Sequence, residues 1–326
     1  MQTRILGRTG RPVSVIGLGT WQLGADWGEV DPADARAVLE TSLEAGVTFY
    51  DTADVYGDGR SERFLGEFLA AHPDAGITIA TKLGRRVPQE PANYTLDNFR
   101  SWTSRSRRNL GVDMLDLVQL HCPPTAVYQT DTVFDALDTL VDEGAIAAYG
   151  VSVEETAQAL TAIERPAVAT VQIILNAFRL KPLDEVLPAA RHAGVGIIAR
   201  VPLASGLLSA KYTDSTTFAD NDHRTYNRGG EAFDVGETFS GVDFATGIEA
   251  VREFAARAGR HHGGAGRPRL DRSASRGEHR DPGSQGTPSR RAPTPRQAPC
   301  VTWATTSGEA SARSTTAFRA TVHSRW

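Results

Sequence analysis

The sequence predicts an α/β fold, a (β/α)8 TIM barrel that lacks its eighth strand and carries a disordered C-terminal tail. Three observations lead there. Seven short apolar runs alternate with amphipathic helical patterns in a unit of roughly 30 residues, which implies parallel strands joined by right-handed crossovers. No eighth run follows the seventh, although a barrel needs one to close. The composition also changes near Gly259, so that residues 1–258 read as the incomplete barrel and 259–326 as a low-complexity tail.

The elements follow in order. The opening ILGRTGRPVSVIGLGT reads as a short hairpin turning at Thr9-Gly10, which runs into the first barrel strand. VIGLGT precedes a helix from Pro32 to Glu44, VTFYDTA one from Ser61 to Ala71, and ITIATK one from Thr95 to Leu110. LDLVQLH precedes Thr132 to Glu143, AAYGVSV precedes Glu154 to Ile163, and VQIILN precedes Leu183 to His192. VGIIARVPL is the seventh strand; a polar stretch from Thr213 to Asp243 and a helix from Ala245 to Ala258 come after it. The strands read as apolar throughout, as expected when both faces of a parallel sheet are covered. Asp31 ahead of Pro32, and Ser61 followed by Glu62, are helix-start signals.

Composition narrows the function classes. With 40% hydrophobic and 23% charged residues the chain is of globular type. A net charge of −4 gives no reason to expect nucleic acid or an anionic membrane as partner. No apolar run spans a bilayer, and the N-terminus lacks the layout of a signal peptide. Cys122 and Cys300 are far apart and without metal-ligand spacing, so no metal is expected and a reducing cytoplasm is the natural setting. The tail from His261 is rich in Arg, Pro, Ser and Gly, has no Lys, and contains Leu270 as its one Leu, Ile or Met. Such a segment buries too little apolar surface to offset its ordering entropy, and its dispersed basic residues lack interleaved aromatics.

Chemistry gathers at successive strand ends. Strand two ends in Asp51-Thr-Ala-Asp54-Val-Tyr56-Gly57, strand three in Thr81-Lys82 and strand four in Leu120-His121. In a barrel these ends share the C-terminal face, where such enzymes place their active sites. A phenol, an ammonium, a carboxylate and an imidazole then converge, a set suited to carbonyl reduction. Lys82, held by Asp51, is expected to lower the pKa of Tyr56, which then donates a proton to the carbonyl oxygen while His121 orients that oxygen. Taken singly, each residue also has a structural reading: a turn cap, a mouth aromatic, a solvated charge, a core histidine. The pair Gly17-Leu-Gly19 lacks the third glycine and following helix of a dinucleotide fingerprint and reads as a tight strand-end turn.

These motifs, Asp51-Thr-Ala-Asp-Val-Tyr56-Gly, Thr-Lys82 and Leu-His121, resemble the signature and catalytic tetrad of the aldo-keto reductases, over about residues 1–258. The resemblance implies an NADP(H)-dependent reductase of aldehydes or ketones with a small-molecule carbonyl substrate. Gly150-Val151-Ser152 is similar to the segment whose Ser touches the nicotinamide carboxamide, and Gln172 with Asn176 to the next cofactor contact. Pro202-Leu203-Ala204-Ser205-Gly206-Leu207-Leu208 with Lys211 resembles the loop crossing the pyrophosphate. The implied cofactor set is therefore Gly19, Thr20, Ser152, Gln172, Arg200, Leu203, Ser205, Leu208 and Lys211. The sequence departs from the pattern at Val153, where Asn is frequent, at Leu175, where an aromatic stacks on the nicotinamide, and at Arg200, where many members have Tyr. Trp21, Trp27 and the loop from Thr213 to Gly241 are expected to set specificity. Two other readings stand beside this one: a non-enzymatic barrel of the family that binds a nucleotide or a partner, and an inactive product of a frameshifted gene.

The resemblance also implies an eighth strand ending in an Ile-Pro-Gly-like motif, followed by residues that bind the 2′-phosphate. Here the chain reads HHGGAGRPRLDRSASRGEHRDPGSQG instead. Back-translated from His261 and read one nucleotide later, it permits TMAGQAALAWIARHPGVSTVIPGAREHRA, with helix, strand and motif in family order. A frame shift near Arg260 would account for both the loss and the Arg-rich bias; a natural variable tail is the alternative. Restoring that frame is expected to raise melting temperature and NADPH affinity together, because sheet edges gain a partner and the 2′-phosphate gains charge-assisted hydrogen bonds. Thermal melts and NADPH titration of the two forms check this, and equal stability with equal, tight affinity contradicts it.

Overall fold

The computed structural model describes residues 1–24, 30–261 and 300–305. An antiparallel hairpin, β1 (Thr3–Ile5) and β2 (Pro12–Ser14), opens the chain, with a 3-10 turn over Gly7–Thr9 and Gly10 in the left-handed region. Seven parallel strands follow: β3 (Ile16–Gly19), β4 (Phe49–Asp51), β5 (Thr78–Leu83), β6 (Leu117–His121), β7 (Tyr149–Ser152), β8 (Val168–Ile174) and β9 (Gly196–Arg200). The helices α1 (Pro32–Glu44), α2 (Arg60–Ala71), α3 (Leu96–Leu110), α4 (Thr125–Tyr128), α5 (Asp131–Asp142), α6 (Thr156–Ile163) and α7 (Val186–Ala193) occupy the crossovers. Beyond β9 come a 3-10 segment (Ala204–Ser209), a short α8 (His223–Tyr226), and α9 (Phe244–His261).

Local chemistry sets most helix starts. Asp31 caps α1 through its Oδ1, which accepts from Ala33 N at 2.8 Å, and Pro32 fits the first turn, where its missing N–H costs nothing. Thr95 caps α3, and Glu155 with Gln158 forms a capping box on α6. Ser61 does not cap α2, contrary to the sequence expectation. The helix starts one residue earlier from Gly59 in the left-handed region, and Ser61 is buried inside it. Its Oγ donates toward Thr20 (O at 2.9 Å, Oγ1 at 2.8 Å) and lies 2.9 Å from Thr52 Oγ1. Tertiary partners override the local cap signal, and the result pins α2 to the mouth ends of β3 and β4.

Alternation along the strands divides the barrel interior into two levels. Leu6 and Val13 of the hairpin region pack with Phe49, Ala80, Leu117 and Ile198 into an apolar floor. Two residues further along the same face, four of the strands turn polar: Phe49 gives way to Asp51, Ala80 to Lys82, Leu117 to Gln119 and Ile198 to Arg200. The strands are thus not apolar throughout. Their outward residues, such as Tyr50, Ile79, Val118, Val151, Val171 and Ile197, join the helices in the main core, while the upper interior positions carry buried polar groups.

Among the described residues the parallel strands number seven, as expected, and no eighth parallel strand follows β9; an antiparallel segment bridges the seam instead. Cys300–Thr305 forms β10, antiparallel to both neighbours, with Cys300 opposite Gly19 and Thr302 opposite Gly17 on β3, and Trp303 opposite Ala199 and Thr305 opposite Ile197 on β9. The parallel strand implied by the family pattern is replaced by a short segment rich in β-branched and aromatic residues, CVTWAT, pairing with two otherwise open edges. The expected disorder of the tail concerns 262–299 and 306–326, which lie outside the described residues, as does Trp27.

The hairpin seats on the floor through a close backbone approach. Gly7 has φ +49, and a Cβ there would lie 2.0 Å from Gly196 N and 2.6 Å from Ala169 O. Gly10 has φ +66 but nothing within 4 Å of its Cβ position. Gly10→Ala is therefore expected to cost about 1 kcal/mol of backbone strain, and Gly7→Ala roughly 1–3 kcal/mol more from overpacking. Urea denaturation midpoints measure both, and equal losses would mean that the hairpin is not seated as described.

Candidate active site

The loop after β4 brings Tyr56 over the barrel mouth. It lies against the 3-10 turn Trp21–Gly24, and the approach is so close that a Cβ on Gly57 would sit 1.9 Å from Gly24 O. Only glycine allows it, since Gly57 also has φ +56. Thr20 anchors that turn, with N and Oγ1 both donating to Asp51 O at 2.9 and 3.0 Å. Trp21 consequently stacks on Tyr56, with centroids 6.0 Å apart and planes at 24°.

Beneath the phenol is a buried ion pair. Lys82 Nζ donates to Asp51 Oδ1 at 2.5 Å and to Thr52 O at 2.8 Å, and its side chain is 2% exposed. Asp51 Oδ2 accepts from Gln172 Nε2 at 2.8 Å and Gln119 Nε2 at 3.2 Å. Lys82 Nζ stands 5.2 Å from the centroid of the Tyr56 ring, and the His121 ring meets that ring edge-on at 5.9 Å. Phenol, ammonium, carboxylate and imidazole are thus one cluster.

Electrostatics define their protonation. Burial alone would lower the Lys82 pKa, but Asp51 and Tyr56 outweigh it and hold the ammonium above the usual lysine value. Burial, helped by the cations Arg85, Lys82 and Arg200, drives His121 well below an ordinary histidine, so it is neutral at neutral pH. Its Nδ1 is buried without a hydrogen-bond partner among the described residues. The expectation that Lys82 lowers the pKa of Tyr56 is corrected in its net sign. The ammonium and Arg85 do pull it down, but burial and Asp51 prevail and the phenol is raised. Tyr56 is therefore an acid held firmly in its protonated form.

A cavity of about 230 Å³ opens over this cluster. Of the sequence-predicted residues, Gly19, Thr20, Asp51, Tyr56, Lys82, His121, Ser152, Gln172 and Arg200 line it. Ser152 Oγ donates to Gln172 Oε1 at 3.2 Å, which links the two to Asp51. Arg200 is buried, donates to Val153 O at 3.0 Å, and forms an ion pair with Glu237. Leu203, Ser205, Leu208 and Lys211 are not among the lining residues. They belong to the loop after β9, where Ser205 Oγ donates to Glu237 O at 2.6 Å, Leu208 packs on the cluster of Leu207, Phe239 and Ile248, and Lys211 is exposed. Val201, Ala204, Ser205 and Ala210 all have positive φ, so this loop stores backbone strain. Asn176 is committed to Val201 O at 2.8 Å and Ser240 Oγ at 2.7 Å. Leu175 is half-buried at the mouth end of β8.

Sequence reasoning missed several members. Gln119 lies two residues before His121 on the same face, so the period of two already marked it. Arg85, Cys122, Glu154, Phe233 and Glu237 also line the cavity. The last two arrive from the loop Thr213 to Gly241, which was expected at the site as a whole but without these residues singled out. Phe233 meets Trp21 edge-on at 5.5 Å, and His223 lies 5.5 Å from Trp21, forming an aromatic wall. Asp54, fully buried behind Tyr56, is pushed up to about 7 by burial and by Glu62, against the pull of Arg86 and Arg105. Among the described residues no group of three or more His, Cys, Asp or Glu could hold a metal, and no helix is long and apolar enough to cross a membrane.

Comparison with known proteins agrees with this geometry. An uncharacterized oxidoreductase of Mycobacterium tuberculosis is 35% identical over 207 residues, 61% of this chain and 61% of that protein, so the match spans about three fifths of the relative's length. The glycerol dehydrogenase of Gluconobacter oxydans has 32% identity and a TM-score of 0.63, over 80% of this chain and 78% of that one. An aldo-keto reductase from Bacillus halodurans, solved in its holo form, has 28% identity and a TM-score of 0.59, over 68% and 73%. The family model for the aldo/keto reductase family matches residues 15–263. The chain belongs to the aldo/keto reductase family.

Proposed function

We propose that this chain reduces an aldehyde or ketone to an alcohol, with NADP(H) as the hydride donor and Tyr56 as the proton donor. The observation that carries the reading is the convergence of Tyr56, Lys82, Asp51 and neutral His121 on one cavity, with the ammonium 5.2 Å from the phenol ring centroid. The holo form of the Bacillus halodurans relative and the dehydrogenase activity in the name of the Gluconobacter relative support it.

The residues fit a nicotinamide. Ser152 and Gln172 present a hydroxyl and an amide to the cavity, the donor and acceptor types a carboxamide requires. Gly19, Thr20 and Arg200 border the same space, and Leu203, Ser205, Leu208 and Lys211 follow on the strained loop for the phosphates. A nicotinamide held there would supply hydride to the carbonyl carbon. Tyr56 protonates the oxygen, Lys82 offsets the charge of the phenolate that results, and Asp51 keeps Lys82 protonated and aimed. His121, being neutral, keeps one N–H to donate to the same oxygen.

Tyr56→Phe is expected to lower turnover by about 10²-fold or more, with NADPH affinity nearly unchanged. NADPH absorbance at saturating aldehyde, together with a cofactor titration, measures both, and near-full turnover by this variant rules Tyr56 out as the proton donor.

The raised phenol also fixes a pH dependence. Reduction requires protonated Tyr56, so kcat/KM should stay flat through neutrality and fall only on the alkaline side, as pH passes the raised pKa. Alcohol oxidation requires the phenolate and should rise over that same window. A reduction rate that halves between pH 6 and 8 would contradict the assignment.

A further inference from the structure

Arg85 and Glu154 stand apart from the tetrad and have no part in the proton transfer described above. Arg85 follows β5 and Glu154 follows β7, the two strands flanking β6, so both overhang the strand end that carries His121. Arg85 Nε donates to the carbonyl of His121 itself at 3.0 Å, which registers the guanidinium beside the imidazole. Both side chains line the cavity, and they are 27% and 33% exposed.

Their separation matters. Arg85 Nη2 and Glu154 Oε1 are 3.6 Å apart, beyond the N–H···O hydrogen-bond range. The two charges balance, yet neither group uses its hydrogen-bonding capacity on the other. Among the described residues the Glu154 carboxylate accepts no hydrogen bond, and burial together with nearby Asp234 already disfavours its charge. The other two ion pairs of the cavity are different, since Lys82 donates directly to Asp51 and Arg200 is in direct contact with Glu237.

A ligand group that completes the Arg85–Glu154 pair must donate to a carboxylate and accept from a guanidinium at once. A hydroxyl does both. A carboxylate or phosphate satisfies the arginine but is repelled by Glu154. An alkyl group leaves the hydrogen-bonding capacity of both groups unmet, which such a site rejects. Trp21 and Phe233 supply an apolar wall to the same cavity for the carbon skeleton.

Resting on the carbonyl-reductase reading, we infer that Arg85 and Glu154 form a hydroxyl-binding subsite, and that the substrate is a hydroxylated aldehyde or ketone whose hydroxyl lies close to the reacting carbonyl.

The test compares kcat/KM for glyceraldehyde, propanal and glyoxylate, using the full chain with NADPH and with NADH. Wild type should favour glyceraldehyde over propanal by roughly tenfold or more, the size expected of one hydrogen bond to a charged group. Glu154→Ala should reduce that ratio about tenfold, mainly through KM, and should raise the relative use of glyoxylate. Glu154→Gln, which keeps an acceptor and the side-chain volume, should retain part of the preference, and it carries the test if the alanine variant does not fold. A ratio near one in wild type, or an unchanged ratio in both variants, overturns the subsite while leaving carbonyl reduction standing. If neither aldehyde is reduced with either cofactor, the underlying reading fails and the subsite falls with it.

Discussion

The buried pair of Lys82 and Asp51 is the interaction on which the mouth of this barrel depends. An ion pair with side chains 2% and 9% exposed loses most of its hydration, and attraction between the charges alone seldom offsets that loss. The structure compensates with hydrogen bonds: Asp51 takes donors from Lys82, Gln119 and Gln172, and Lys82 gives a second proton to Thr52 O. Four strands thereby meet at one carboxylate. Removing either charge strands the other, so the pair specifies the arrangement as well as the chemistry above it.

The floor and the mouth serve opposite needs. Leu6, Val13, Phe49, Ala80, Leu117 and Ile198 close the lower end with apolar contacts that need no partners. Each polar residue two positions higher must find one, and its partner usually comes from a different strand. A dry lower level keeps water away from the ion pair and thereby strengthens every electrostatic effect acting on Tyr56 and His121.

Much of this was legible in the sequence, and the exceptions have physical causes. The barrel class and the residues Asp51, Tyr56, Lys82 and His121 were readable because each sits at a strand end and one topology rule brings strand ends together. Gln119 was obscured because LDLVQLH looks apolar when read as a run, although every second residue points inward. Arg85 and Glu154 meet across the end of β6, from the two strands that flank it, rather than through sequence proximity. The sign of the Tyr56 shift was misjudged because an adjacent ammonium can be inferred from a motif, whereas the depth of burial cannot. Ser61 carried a genuine cap signal that tertiary partners overruled. The absence of an eighth parallel strand was readable, but the antiparallel segment at the seam was not, because composition was averaged over a long tail while CVTWAT is a local β-forming patch inside it.

The position of β10 has a consequence for how the chain is made. Its partners Gly17 and Gly19 leave the ribosome long before Cys300 to Thr305. Seven strands can pair with sequence neighbours as they emerge, but the seam between β3 and β9 stays open until Cys300 to Thr305 have been made. Closure then requires joining segments separated by nearly the whole chain, a slow contact by topology. During that interval two bare strand edges are presented to the cell, and this is the period in which the nascent protein is most exposed to edge-to-edge association and to chaperones.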